Sequence, residues 1–405
     1  MTILTELVII AAILGIAIGR YPVLRMNRAT IALVGAVAVV AVNGANIEKA
    51  FEALDLHTLA LLFSMMIISV NLRLSGFFGL AGRYITRCAR TPSQLLALLV
   101  FSSGILSALF LNDTIVLMFT PLVTAITLDL HRDPIPYLVG IATAANIGSA
   151  ATLIGNPQNM MIGIASHIDF FRFLGILTIP SLIGLLIVWG LIRFVFRKEF
   201  KPALFEVPKE GRLRVYRPLL FKSLVATGIL IAGILIKLPL AFAALLAASF
   251  LLITRRLRPE RVFTEIDWSL LVLFSGLFVL TNTLREDAGF RFVLEQFVHW
   301  AGGSIPAFAA ASAILSNLVS NVPAVMLLSP VTAAMPNLEQ AWITLAMSST
   351  YAGNFTLLGS VANLIVAESA KHRGVHLSFW KYFAAGAPIT LLTLTLGSLW
   401  LEWLY

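Results

Sequence analysis

Four apolar runs in this chain, each long enough to enter or cross a bilayer, are broken internally by residues that end helices. Residues 95–128 are interrupted at Asn112-Asp113, and residues 137–165 at Gly155-Asn156-Pro157-Gln158-Asn159. Residues 305–334 are interrupted around Ser320-Asn321, and residues 342–370 between Gly353 and Asn363. Hydrocarbon offers no hydrogen bonds, so non-helical backbone survives there only inside protein or beside a water-filled cavity. A chain with four such breaks is therefore held to one kind of solution: an all-α polytopic bundle with the broken segments gathered inside it.

Composition agrees. Of 405 residues, 59% are hydrophobic and 12% charged, too little polar surface for a soluble domain. Unbroken candidate spans cover residues 3–19, 30–42, 57–72, 171–195, 219–236, 238–253, 268–284 and 379–401. The chain reads as one transmembrane domain over residues 1–405, with a first repeat at 1–196, a basic linker at 197–217 and a second repeat at 218–405. The net charge of +9 lies in short loops between apolar runs, so it speaks for membrane orientation and not for nucleic acid. A lone cysteine, Cys88, excludes a disulfide framework and a thiolate metal cluster. Residues 1–6 lack a basic leader and read as the opening of a retained first span.

The two halves match. Asn112 and Pro121 parallel Asn321 and Pro330, both offset by 209. Thr152, Gly155 and Asn159 parallel Thr356, Gly359 and Asn363, offset by 204, and Asp55 parallels Asp267, offset by 212. Repeats of this kind are common in secondary transporters. If each interrupted Asn segment is a re-entrant helical hairpin, each half has five true spans, and the odd number inverts the second copy. With the linker in the cytoplasm, the loops at 20–28, 73–90, 129–136, 193–222, 255–261 and 371–381 hold 24 of the 29 Lys and Arg. That asymmetry is what the positive-inside rule requires, and it puts both termini in the periplasm of a cell inner membrane.

The breaks carry the candidate chemistry. Asn, Thr, Ser and Gly end helices and offer side-chain oxygens and freed carbonyls. Half-helix N-termini favour anions, and carbonyl ends favour cations. A lone Asn in a span is more often interhelical glue, but two symmetric pairs point to one central site. The candidates are Asn112, Asp113 and Thr114 at the first tip, and Thr152, Gly155, Asn156 and Asn159 in the first broken helix. In the second half they are Ser320 and Asn321 at the tip, and Asn354, Thr356, Gly359 and Asn363 in the broken helix. Asp113 is the one carboxylate placed deep in the membrane; intramembrane acids are costly and usually functional, and it is the candidate proton carrier. Its counterpart is Val322, so the chemistry is asymmetric. The plainer reading of Asp113 is a cap on the returning helix. Asp55, Asp267, Glu265 and Asp129 fall at span ends and read as caps or solvated groups, and Glu368 as an interfacial partner of Lys371. His372 and His376 flank Gly374 in a loop, so no metal site is expected. There is no phosphate loop and no His-Glu-x-x-His, so neither ATP hydrolysis nor zinc-protease chemistry is supported.

Phe110-Leu111-Asn112-Asp113-Thr114 with Thr120-Pro121, and residues 145–159 (Ala-Asn-Ile-Gly-Ser-Ala-Ala-Thr-Leu-Ile-Gly-Asn-Pro-Gln-Asn), resemble the arsenite-efflux (ArsB) and NhaD-like branch of the ion transporter superfamily, whose membrane domain is of the citrate transporter kind. Ser320-Asn321-Val322-Pro323 and residues 353–363 resemble the second-repeat motifs of that branch. The resemblance implies two hairpins, two unwound helices, a central site lined by Asn112, Asp113, Asn159, Asn321, Thr356 and Asn363, and a homodimer with an elevator-like motion. It leaves room for an ATPase subunit. The first tip reads Asn-Asp-Thr, not the Ser-Asn-Thr of the sodium–dicarboxylate branch. The reading is a secondary active transporter of a small inorganic anion or metalloid, an arsenite- or antimonite-type efflux antiporter coupled to protons. The partners are a small solute and the bilayer, and no cofactor is needed beyond a bound proton or sodium ion. The alternatives are a sodium-coupled carboxylate or anion symporter, a sodium/proton antiporter and, further off, a passive anion channel.

Overall fold

Capping residues set most of the element boundaries. Thr91 and Asp133 cap helices that open on Pro92 and Pro134, where the missing N–H is harmless. Asp55 and Asp267, read as span-end caps, accept from Thr58 N and Leu270 N, each at 3.1 Å. The computed structural model describes residues 3–18, 25–44, 46–201, 204, 215–254, 258–287, 289–292, 296–297, 304–333 and 335–405. Most of the basic linker, and parts of the loops at 20–28 and 255–261, lie outside the described residues.

In the first half the helices are α1 (Ile3–Ile18), α2 (Arg28–Val42), α3 (Ile47–Glu52), α4 (Leu56–Ser75), α5 (Phe77–Cys88), α6 (Pro92–Leu109), α7 (Asn112–Asp129), α8 (Pro134–Ser149), α9 (Pro157–Ser166) and α10 (Phe170–Val195). In the second they are α11 (Arg217–Leu235), α12 (Leu240–Leu252), α13 (Pro259–Phe263), α14 (Trp268–Arg285), α15 (Ile305–Val319), α16 (Asn321–Ala333), α17 (Leu338–Ala352), α18 (Val361–Lys371) and α19 (Phe379–Leu404). Among the described residues there is no strand, and six helices of 18 residues or more have the hydropathy to cross a membrane. The segment 73–90, expected as a loop, contains α5. Gly76 at φ +84° turns the chain out of α4, and α5 then buries Phe78 and Ile85. A segment too short and basic to span still forms a helix when one face is apolar.

The helices sort by their packing into two groups. One joins α1, α2, α4, α11, α12 and α14; the other joins α6–α10 with α15–α19. The main packings come in matched sets. α6 lies on α8 as α15 lies on α17, α2 on α14 as α12 on α4, and α7 on α18 as α16 on α9. Close crossings use small residues, as expected where helices associate through packing and not through hydrophobicity. A Cβ on Gly148 of α8 would stand 2.0 Å from the Gly104 carbonyl oxygen of α6, and one on Gly276 of α14 would stand 2.6 Å from the Ala32 backbone of α2.

Gly148→Ala is therefore expected to force α6 from α8, at about 1–3 kcal/mol, the usual range for overpacking. It should lower the thermal unfolding temperature in detergent, whereas Gly190→Ala on α10, which meets nothing within 4 Å, should leave it unchanged.

Candidate functional site

Both long helices expected to break do so. α8 stops at Ser149 and the chain resumes helix as α9 at Pro157; α17 stops at Ala352 and resumes as α18 at Val361. The intervening backbone needs donors for its freed carbonyls, and one buried asparagine in each half supplies them. Asn159 Nδ2 reaches Thr152 O at 2.9 Å and Ser149 O and Ala150 O at 3.3 Å. Asn363 Nδ2 donates to Gly353 O at 2.7 Å and Thr356 O at 3.1 Å. The restarting helices are capped in turn, α9 by Asn156 Oδ1, which accepts from Asn159 N at 2.8 Å, and α18 by Ser360 Oγ, which accepts from Ala362 N at 3.2 Å.

Each hairpin tip rests on the glycine of its own half's break. Asn112 N donates to Gly155 O at 3.0 Å, and Thr152 Oγ1 donates to Ala108 O beside it. The Asn321 amide nitrogen, oriented as its neighbours require, lies 3.2 Å from Gly359 O and 3.3 Å from Ser349 O. The tips differ in backbone. Ser320 sits at φ +78°, a conformation that costs a non-glycine residue about 1–3 kcal/mol, whereas Leu111, its counterpart in the first tip, sits at φ −56°.

A residue outside the expected set ties the halves together. Asn146 of α8 accepts from Asn112 Nδ2 and Ser360 Oγ, both at 3.1 Å. It donates to Asn354 Oδ1 at 2.9 Å and Asn363 Oδ1 at 3.3 Å. Asn354 Nδ2 returns to Thr143 O at 3.1 Å. Across the same seam, Gln158 Nε2 and Asn156 Nδ2 reach Thr350 Oγ1 at 3.2 and 3.5 Å. These side chains are buried, so each unmade bond there would be expensive.

Beside this network lies a cavity of about 50 Å³. Part of its wall is made of helix beginnings: Asn112 and Asp113 open α7, Asn321 opens α16, Pro157 opens α9, and Ser360 caps α18; Ile16 of α1 and Leu270 and Leu273 of α14 give it an apolar side. Four N-termini, each carrying about half a positive charge, converge on one small space. Arg28, the first residue of α2, joins the wall from the other group of helices. Asp113 N donates to Asn112 Oδ1 at 2.9 Å, but the Asp113 carboxylate and the Arg28 guanidinium make no hydrogen bond with any described residue.

Of the expected residues, Asn112, Asp113, Ser320 and Asn321 line the cavity. Thr152, Gly155, Asn156, Asn159, Asn354, Thr356, Gly359 and Asn363 form the scaffold behind it, and Thr114 is part of neither. Asn146, Gln158, Ser360 and Arg28 lie outside the expected set. The first three stand within or beside the motif segments and are visible in the sequence as polar groups inside apolar runs; Arg28 falls in a segment that charge alone assigns to a cytoplasmic loop. Among the described residues no group of three or more His, Cys, Asp or Glu is placed to hold a metal.

The family model of the citrate transporter family (CitMHS) matches residues 7–352, and the chain belongs to that family. It is 29% identical to the silicon efflux transporter LSI3 of Oryza sativa subsp. japonica, over 93% of this chain and 92% of that protein. It is 26% identical to the putative transporter arsB of Dictyostelium discoideum, over 92% of this chain and 87% of that protein. It is 28% identical to the uncharacterized transporter Mb2703 of Mycobacterium bovis, over 94% of each. Among solved structures, the fold is similar to the YdaH transporter of Alcanivorax borkumensis, described as having an unusual topology. The TM-score is 0.61 at 16% identity, covering 100% of this chain and 98% of that one. The chain is thus a multi-pass membrane transporter.

Asn159→Asp and Asn363→Asp would each put a carboxyl oxygen where an amide donor meets backbone carbonyls. Each is expected to cost about 2–4 kcal/mol and to lower the detergent unfolding temperature by several degrees. Asn282→Asp, on an exposed part of α14, should have little effect.

Proposed function

We propose that this member of the citrate transporter family is a secondary active transporter that exports a small inorganic anion or metalloid acid of the arsenite kind, coupled to protons through Asp113. The observation that carries the reading is the meeting of four helix N-termini, Asp113 and Arg28 on one small cavity. The N-termini and Arg28 offer donors to the oxygens of a solute. An ionised Asp113 accepts hydrogen bonds from a solute's hydroxyls, and a proton arriving on that carboxylate takes the lone pair they used. Proton and solute then compete for one group, which is the condition for antiport.

Size supports a small solute. About 50 Å³ leaves room for roughly three or four water-sized groups, enough for a hydroxylated metalloid acid and too little for a tricarboxylate in this conformation. One relative is named a silicon efflux transporter and another a putative transporter arsB. The matched packings and the charge bias support two inverted repeats, each of five spans and a re-entrant hairpin. They also support an inner-membrane location with both termini in the periplasm. The division into two helix groups suits an elevator-like motion within a homodimer. An ATPase subunit is compatible with this reading and not required by it.

One observation favours sodium coupling instead. Asn159 Oδ1 and Ser107 Oγ are buried without a hydrogen-bond partner, and both residues border the first break, where carbonyls abound. Hard oxygens left open in this way suit a monovalent cation.

In proteoliposomes with an imposed pH gradient, arsenite or silicate flux is expected to follow the gradient. Asp113→Asn should bring that flux to the level of protein-free liposomes. Full pH-driven flux in the variant would remove Asp113 from the mechanism, and flux that needs a sodium gradient and ignores pH would favour the second reading.

A further inference from the structure

Pro330 lies inside α16 and has no N–H, so the carbonyl of Met326, four residues earlier, lacks its helical donor. Two side chains fill the gap. Ser329 Oγ donates to Met326 O at 3.2 Å, and Arg285 Nη2 donates to the same oxygen at 3.3 Å and also to Ser329 Oγ. Arg285 ends α14, which is seated on α2 through Gly276 and Ala32. Ser329 and Met326 belong to the returning helix of the second hairpin. The contact therefore spans the joint between the two helix groups. A cavity of about 180 Å³ lies against it, walled by Asp55, Met161, Thr281, Arg285, Met326 and Trp342 among others.

Arg285 makes no ion pair with a described residue. Asp55 borders the same cavity, but its carboxylate is engaged in capping α4 at Thr58. The first half shows what Arg285 lacks. Offset by 212, as Asp55 is from Asp267, the matching residue on α4 is Arg73, and Arg73 pairs with Glu265. The position that matches Glu265 is Ala53. With alanine there, Arg285 is left with neutral oxygens as acceptors. An arginine held that way can let go without stranding a buried carboxylate, whereas breaking an ion pair leaves an uncompensated charge.

We propose that Arg285 is a positioning residue for transport: a latch that holds the second hairpin against α14 and keeps Thr281, at the back of the cavity, covered. Its release lets the hairpin group move. The role in transport rests on the function proposed above; the contact and its opening do not. Pro330 is part of the device, because its missing N–H creates the acceptor that the latch uses.

The test uses the full chain in lipid nanodiscs, with Cys88→Ser and a reporter thiol at Thr281→Cys. Thr281 is 4% exposed, so its reaction with a maleimide too polar to enter the bilayer reports opening of the joint. Arg285→Met is expected to speed labelling about fivefold, the scale of a partly exposed charge-assisted hydrogen bond, and Arg285→Lys by less. Pro330→Ala gives Met326 O a backbone donor; it should also speed labelling, and should add nothing to Arg285→Met. Arg73→Met should leave the rate at that of the parent. If Arg285→Met does not fold, Pro330→Ala carries the test alone. Parent-like labelling in Arg285→Met or in Pro330→Ala, or independent addition of the two, overturns the latch. Labelling requires no solute, so a failed latch leaves the transport reading standing. The expected labelling in a protein that moves neither arsenite nor silicate would sink the transport reading and keep the latch.

Discussion

The structure depends on how backbone polar groups are satisfied where water is scarce. A helix broken in mid-span frees carbonyls and amides that the bilayer cannot serve. Here one asparagine amide in each half, on Asn159 and on Asn363, gathers the carbonyls of its own break. Because these amides satisfy the carbonyls from inside, the restarting helices can begin at the cavity wall, at Pro157 and Val361. The same arrangement that makes the breaks tolerable makes them chemically useful. That is why the most buried asparagines stand behind the site and not on its surface.

This division was only half legible in the sequence. The four breaks could be read, because Gly, Asn and Pro inside an apolar run stop a helix where lipid cannot serve the freed backbone. The two unwound segments, 150–156 and 353–360, overlap Thr152–Asn159 and Thr356–Asn363 but end earlier, so Asn159 and Asn363 already belong to the restarting helices. The end caps Asp55 and Asp267 were readable because a carboxylate just before an apolar run has the first-turn amides within reach. What the pattern did not separate was lining from scaffold. Asn112 and Asn363 look alike as letters, yet one opens a helix at the cavity and the other turns its amide to backbone carbonyls. Asn146 joins them through contacts more than 200 residues away in sequence, which no local rule reports. Arg28 opens α2 at the edge of the segment that charge reads as a loop; its place in the wall depends on how α2 packs against its neighbours, which charge near a span end does not report.

The halves share a plan and differ in chemistry. Asp113 follows the first tip where Val322 follows the second. The second tip is strained at Ser320 and the first is relaxed. Arg73 has Glu265 as a partner, whereas Arg285 has only neutral oxygens. Each difference is one residue on a shared frame. A symmetric pair of tips would present the same charge from both sides. Here Asp113 is the one carboxylate among the described residues of the cavity wall, and it stands on one tip.

The two groups of helices contribute unequally to that cavity. The tips, both restarting helices and Asp113 all belong to one group, so their mutual geometry survives any rigid movement of that group. Arg28 belongs to the other, and so does the arginine that reaches Met326. Coulomb interactions in a poorly screened interior change steeply over a few ångströms, so the field of these two arginines at the hairpin group depends on how closely the groups are seated. In the transport reading proposed above, the tips and restarting helices hold a solute as one unit, and Arg28 adds a donor whose distance depends on how the two groups are seated.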